Sequence, residues 1–235
     1  GTLAVTALSV SDMQTMIGLG RQTIEQMDGF AGLLLPVVAV LTAATGAATG
    51  AAVRQGATVL FSDLLIGAID TLLVPIVYAY VAVCAAHAAV GNEGLKRIAG
   101  TLKWVVTSIL TVVLLVFVGY LTVSGVIAGS TDAVTVKAAK FTMSDAAETV
   151  LAGARILKNA VGVFGMLAVL CMCVAPFLQL GIHYLTYKVT SALSATVSSG
   201  RVAGLIDQIG GAFGLVLGMT GASALLLLIS MVSAI

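Results

Sequence analysis

Asp63 and Asp70 stand seven residues apart, two helical turns along one face, with Arg54 a short way upstream. A carboxylate inside a membrane lines a wet pathway or pairs with a cation, whereas one at the bilayer edge is only an interfacial residue. Both readings of Asp70 stand, because an apolar run opens immediately after it at Thr71. His87 has no Cys, Asp or Glu at metal-ligand spacing, which favours an interfacial or hydrogen-bonded imidazole over a ligand or proton relay. Cys84, Cys171 and Cys173 lie in apolar runs. Successive helical residues point about 100° apart, so Cys171 and Cys173 face different ways and read as reduced, structural thiols. The sequence carries no phosphate-cradling loop, no GxSxG elbow and no HExxH pair. No catalytic residue, metal or cofactor is expected, and the enzyme class has nothing to rest on.

The chemistry that remains is packing. Gly210, Gly214 and Gly218, followed by Ala222, recur every four residues on one helical face. Helix backbones approach closely there and gain van der Waals contact, the main attraction between helices in lipid. Gly46 and Gly50 repeat the spacing, as do Gly125 and Gly129. Such faces serve either packing within one chain or a homo-oligomer interface, and both readings stand. Pro36, Pro75 and Pro176 fall in or at the start of apolar runs, where each removes an intrahelical hydrogen bond and bends the helix.

Composition dictates the elements that carry these residues. Of 235 residues, 60% are apolar and 9% charged, against about 25% charged in soluble domains. A water-soluble fold built from them would lack polar surface, so most of the apolar excess must meet lipid or other helices. Runs without a charged side chain, long enough to cross about 30 Å of hydrocarbon, cover 30–53, 71–91, 104–131, 159–187 and 208–235. The fold class is therefore all-α, a polytopic integral membrane bundle of about five transmembrane helices plus short amphipathic interfacial helices. Residues 1–29 read as the tail of an upstream segment and an amphipathic helix, and 30–235 as the transmembrane domain. Ser11 to Gly29 and Val189 to Val197 have amphipathic spacing suited to the headgroup plane. Asp145 and Glu148 resemble a capping box for a helix entering the fourth run. Lys103, Trp104, His183, Tyr184, Tyr187 and Lys188 sit at run ends as headgroup anchors.

Charge excludes another class. The net charge is +1 with Lys and Arg scattered, so no basic face follows a phosphate backbone and nucleic acid is not a partner. The same scatter, six basic residues on one side and five on the other, leaves orientation undecided.

One segment goes further. Asp132-Ala-Val-Thr-Val-Lys-Ala-Ala-Lys-Phe141, with Ser144-Asp-Ala-Ala-Glu-Thr-Val-Leu151 and Leu157-Lys-Asn-Ala-Val-Gly-Val-Phe-Gly165, resembles the bacterial stage III sporulation protein AE family. Arg21-Gln-Thr-Ile-Glu-Gln-Met27, Leu33-Leu-Leu-Pro36, the small-residue run from Ala43 to Ala52, and Pro176 with Tyr187-Lys188 are similar to it too. Between Phe141 and Ser144 only Thr142 and Met143 intervene, fewer residues than the family usually has, and the family also extends before the position of Gly1. The resemblance implies a multi-pass protein of the mother-cell membrane around the forespore. It implies a place in a secretion-like channel complex with other stage III sporulation membrane proteins, an ATPase and a forespore-membrane partner. The alternatives are a stand-alone permease using Asp70, and a purely structural membrane scaffold.

Overall fold

The long apolar stretches, rich in Ala, Leu and Val and poor in proline, satisfy their backbone hydrogen bonds within helices, as a bilayer demands. A computed structural model describes the backbone of residues 2–46, 48–140, 145–197 and 200–234, with side chains omitted at 2–9, 129, 131, 134–140, 145–147 and 234. Every element among the described residues is helical. They are α1 (Thr2–Ala44), α2 (Ala48–Ala68), a π-helical turn (Ile69–Leu73), α3 (Val74–Val90), α4 (Glu93–Lys140), α5 (Asp145–Val197) and α6 (Gly200–Ala234). The segment around Met143, where the family pattern is shortened, lies outside the described residues.

Five helical stretches are long and apolar enough to cross a membrane: Val10–Ala44, Ala48–Val90, Glu93–Ala128, Glu148–Val197 and Gly200–Ser233. The number matches the reading of the sequence, while the bounds differ at the N-terminal end. The run 30–53 is not one helix. α1 stops at Ala44 and the chain turns through Thr45 and Gly46, whose φ of +88° suits a residue without Cβ. The absence of charge there marks an apolar helical turn rather than the middle of a span. α1 also runs unbroken through Gly29, so Ser11 to Gly29 is not a separate interfacial helix, and α5 carries Val189 to Val197 in the same continuous way. At 53 residues α5 provides about 80 Å of helix, more than twice the hydrocarbon thickness, so the polar ends of such helices extend beyond the bilayer core.

Contacts divide the chain into two compact units. The first comprises the segment ending at Ile24, Leu65–Val112 and Cys173–Ala222. Its buried residues include Met13, Ile17, Leu73, Val77, Val106, Leu180 and Phe213. The second comprises Glu25–Leu64, Val113–Met172 and the segment from Ser223. It buries Met27, Val38, Phe61, Phe117, Val169, Leu226 and Met231, and the Phe61 ring lies 5.3 Å from Phe117 and 5.9 Å from Tyr120.

Candidate functional site

The glycine face of α6 is occupied within the chain. A Cβ at Gly210 would lie 3.0 Å from Tyr187 Cβ, one at Gly214 would lie 3.1 Å from Tyr184 Cε2, and one at Gly218 would meet Leu110 at 3.7 Å. Ala222 is buried as well. These small residues seat α6 against α5 and α4 in the first unit. Gly211, on another face, leaves room for Tyr80, whose hydroxyl donates to the Gln208 carbonyl at 2.9 Å. The other glycine pairs behave differently. Gly46 belongs to the turn, so it shares no helix face with Gly50. Gly125 has open space beside it, and the surroundings of Gly129 are outside the described residues.

Gly50 has a more specific partner than a helix surface. The Asp132 carboxylate of α4 accepts the backbone N–H of Gly50 at 2.8 Å and that of Thr49 at 3.2 Å. These are first-turn amides of α2, which have no intrahelical acceptor, and the positive end of the helix dipole favours an anion there. Asp132 is buried, and a Cβ on Gly50 would sit 2.8 Å from its Oδ2. Sequence spacing gives no hint of this pair, because the cap comes from more than eighty residues away. The only signal is an aspartate near the end of an apolar run.

Asp70 lies in the π-helical turn directly before Pro75. Proline has no N–H for the Thr71 carbonyl and its ring clashes there, so the register slips and the Val74 N–H bonds Ile69 O, five residues back. The slip lies beside an ion pair: Arg21 Nε of α1 donates to Asp70 Oδ1 at 2.8 Å, with the two side chains 45% and 34% exposed. Asp70 is thus paired with a cation, and its partner is Arg21 rather than Arg54. Arg54 lines a small cavity in the second unit with Thr42, Thr58 and Ser230, its Nε without a hydrogen-bond partner among the described residues. Thr58 and Ser230 share a 2.6 Å hydrogen bond there. Asp63 is exposed in the second unit, where Ser62 instead donates to Asp28 at 2.7 Å. Pro36 and Pro176 lie inside α1 and α5, both of which continue past them.

The anchors at the end of the fourth run face inward as well as outward. In the first unit the Tyr187 hydroxyl donates to Asp12 Oδ2 at 3.2 Å, and His183 Nε2 lies 3.7 Å from Asp12 Oδ1. Lys188 donates to Asp207 at 2.7 Å, and Phe213 packs against the rings of His183 and Tyr187. The terminal helices α1, α5 and α6 are thereby tied together by paired polar groups. His87 Nδ1 is 2.8 Å from the Asn92 carbonyl, beside Gly91 at φ +73°. Among the described residues no three His, Cys, Asp or Glu side chains are placed to hold a metal ion, and none of the three cysteines is in a disulfide.

Helices of this length and hydropathy, seated on small residues, define a polytopic helical membrane protein. The model of the stage III sporulation protein AE family matches residues 2–235, and the chain belongs to that family. A curated relative, stage III sporulation protein AE of Bacillus subtilis (strain 168), is 24% identical over 213 residues, covering 86% of this chain and 53% of the relative. The chain thus spans about half the length of the curated relative it matches. No solved structure matches it. The role of the family lies in sporulation.

Proposed function

We propose that this chain is the membrane subunit of a channel complex joining mother cell and forespore, required for forespore development after engulfment. Its place is the mother-cell membrane surrounding the forespore. Copies of the chain assemble there with other stage III sporulation membrane proteins, an ATPase and a partner in the forespore membrane. The observation that carries this reading is the family match over nearly the whole chain, together with five helices able to span a bilayer. Its bilayer-embedded part is carried by the five long apolar stretches, Val10–Ala44 among them. Gly125 of α4, which has open space beside it, is offered for packing between copies, with Gly129 one turn on, since the α6 glycines are filled from within. Deleting the gene in its spore-forming host is expected to arrest development after engulfment, and affinity isolation of the protein is expected to bring down other stage III proteins. Normal spore counts after deletion would overturn the proposal.

One observation favours a second reading, a permease acting alone. Asp70 occupies a π-helical turn within Ala48–Val90, and such turns are frequent at functional sites. Purified protein in liposomes would then move a solute without partners and lose that activity in Asp70→Asn. A scaffold role, the third alternative, would leave spore development intact when every polar residue of α1 is replaced.

A further inference from the structure

Within the first unit, the outward residues of α1 are of one kind. From Ser11 to Gln22 the exposed positions are Ser11, Gln14, Thr15, Gly18, Arg21 and Gln22, all polar or glycine, while Met13, Met16, Ile17 and Ile24 turn inward. This face is not at a helix end in the bilayer sense. Arg21 lines a small cavity with Val216 and Met219, and a Cβ on its neighbour Gly20 would lie 2.7 Å from Val216 Cγ1. Val216 is nine residues beyond Asp207, about 13 Å along α6, which bears no further ionisable side chain. Leu110 of α4, which meets Gly218, is seven residues, about 10 Å, past Lys103. The Arg21–Asp70 pair is therefore level with helices already well inside the hydrocarbon.

At the same level α5 presents the opposite surface. Gly214 packs on Tyr184 and Gly221 on Phe177, and between those contacts α5 exposes Leu178 at 57% and Ile182 at 61%. The exposed face of α5 suits lipid tails. The α1 face presents an ion pair about 40% open, beside Gln22, which hydrocarbon would reject because a charged side chain there is strongly disfavoured.

We infer that the α1 face running from Gln14 to Gln22, with Asp70, is turned to water in a hydrated passage across the bilayer, with α5 on the lipid side. This deepens the channel reading by naming the surface that lines the conduit, and it rests on that reading for the walls that neighbouring copies supply.

The test is thiol accessibility in the full-length protein, with Cys84, Cys171 and Cys173 replaced by Ala and the protein reconstituted in phosphatidylcholine vesicles. Gln14→Cys and Gln22→Cys are expected to react with a membrane-impermeant cationic methanethiosulfonate at least about tenfold faster than Leu178→Cys and Ile182→Cys. Glu93→Cys, at a polar helix start, serves as the positive control. Equal, slow reaction at Gln22→Cys and Ile182→Cys, with Glu93→Cys reactive, would overturn the inference, as would fast reaction at all positions. Failure of the sporulation role is seen separately, in the spore counts of the deletion strain.

Discussion

Asp132 and Gly50 show how much one carboxylate can organise. The pair joins α4 to the exposed amides opening α2, and replacing Asp132 by Ala leaves those donors buried without an acceptor. Asp132→Ala is expected to lower stability by about 1–2 kcal/mol, read as a lower unfolding temperature in detergent. Gly50→Ala pushes against the same carboxylate, so the double variant should lose less than the two single losses added together, with a coupling of about 1 kcal/mol. Simple additivity would mean the two groups do not touch. Arg21 and Asp70 make the opposite prediction. If their face is wet, the pair is solvated and Asp70→Asn costs at most about 1 kcal/mol in nanodiscs. A loss of several kcal/mol would place the pair in a dry environment instead. None of these partnerships could be seen in the sequence, because 49 residues separate Arg21 from Asp70 and 82 separate Gly50 from Asp132. Spacing rules reach only one or two turns.

The elements were legible to the extent that hydropathy alone decides them. α4, α5 and α6 each hold a long run without charge, and those runs fall inside the helices observed. α1 and α2 were not, for a physical reason: hydropathy weighs each residue by itself, so a charge paired with a distant partner counts as a stop. Arg21 and Asp70 were thus set outside the spans, and an apolar turn at Thr45 and Gly46 was set inside one. Pro75 was read as a bend, and its effect is a register slip that can be reversed. Pro75→Ala supplies the N–H donor that the Thr71 carbonyl lacks, so amide exchange across Ile69–Leu73 should slow; unchanged exchange would mean that another constraint holds the π turn. The glycine face of α6 was legible as a packing surface but not as to partner. With Tyr184 3.1 Å from a Cβ at Gly214, Gly214→Leu should destabilise the isolated protomer by about 1–3 kcal/mol in detergent. A variant that melts normally and fails only to assemble would return that face to the oligomer.

For the molecule as a whole the issue is which surfaces meet which medium. Exposed Val112, Leu115, Val123 and Val126 of α4, and Phe164, Leu167, Leu178, Ile182 and Leu185 of α5, form apolar surface far beyond what a water-soluble protein of 235 residues tolerates. Composition made that legible from the start, since only 9% of residues are charged. What composition could not say is that the exposed surface of α1 in the first unit is polar, because that depends on which residues the other helices cover. The account stands on those apolar faces lying against lipid tails. Photolabelling of the protein in bilayers with a tail-soluble diazirine, read out by mass spectrometry, tests this directly. The carbene should insert into α4 and α5 at the residues just named and spare α1 from Ser11 to Gln22. Absence of label from α4 and α5, with water-soluble reagents modifying those faces instead, would contradict it.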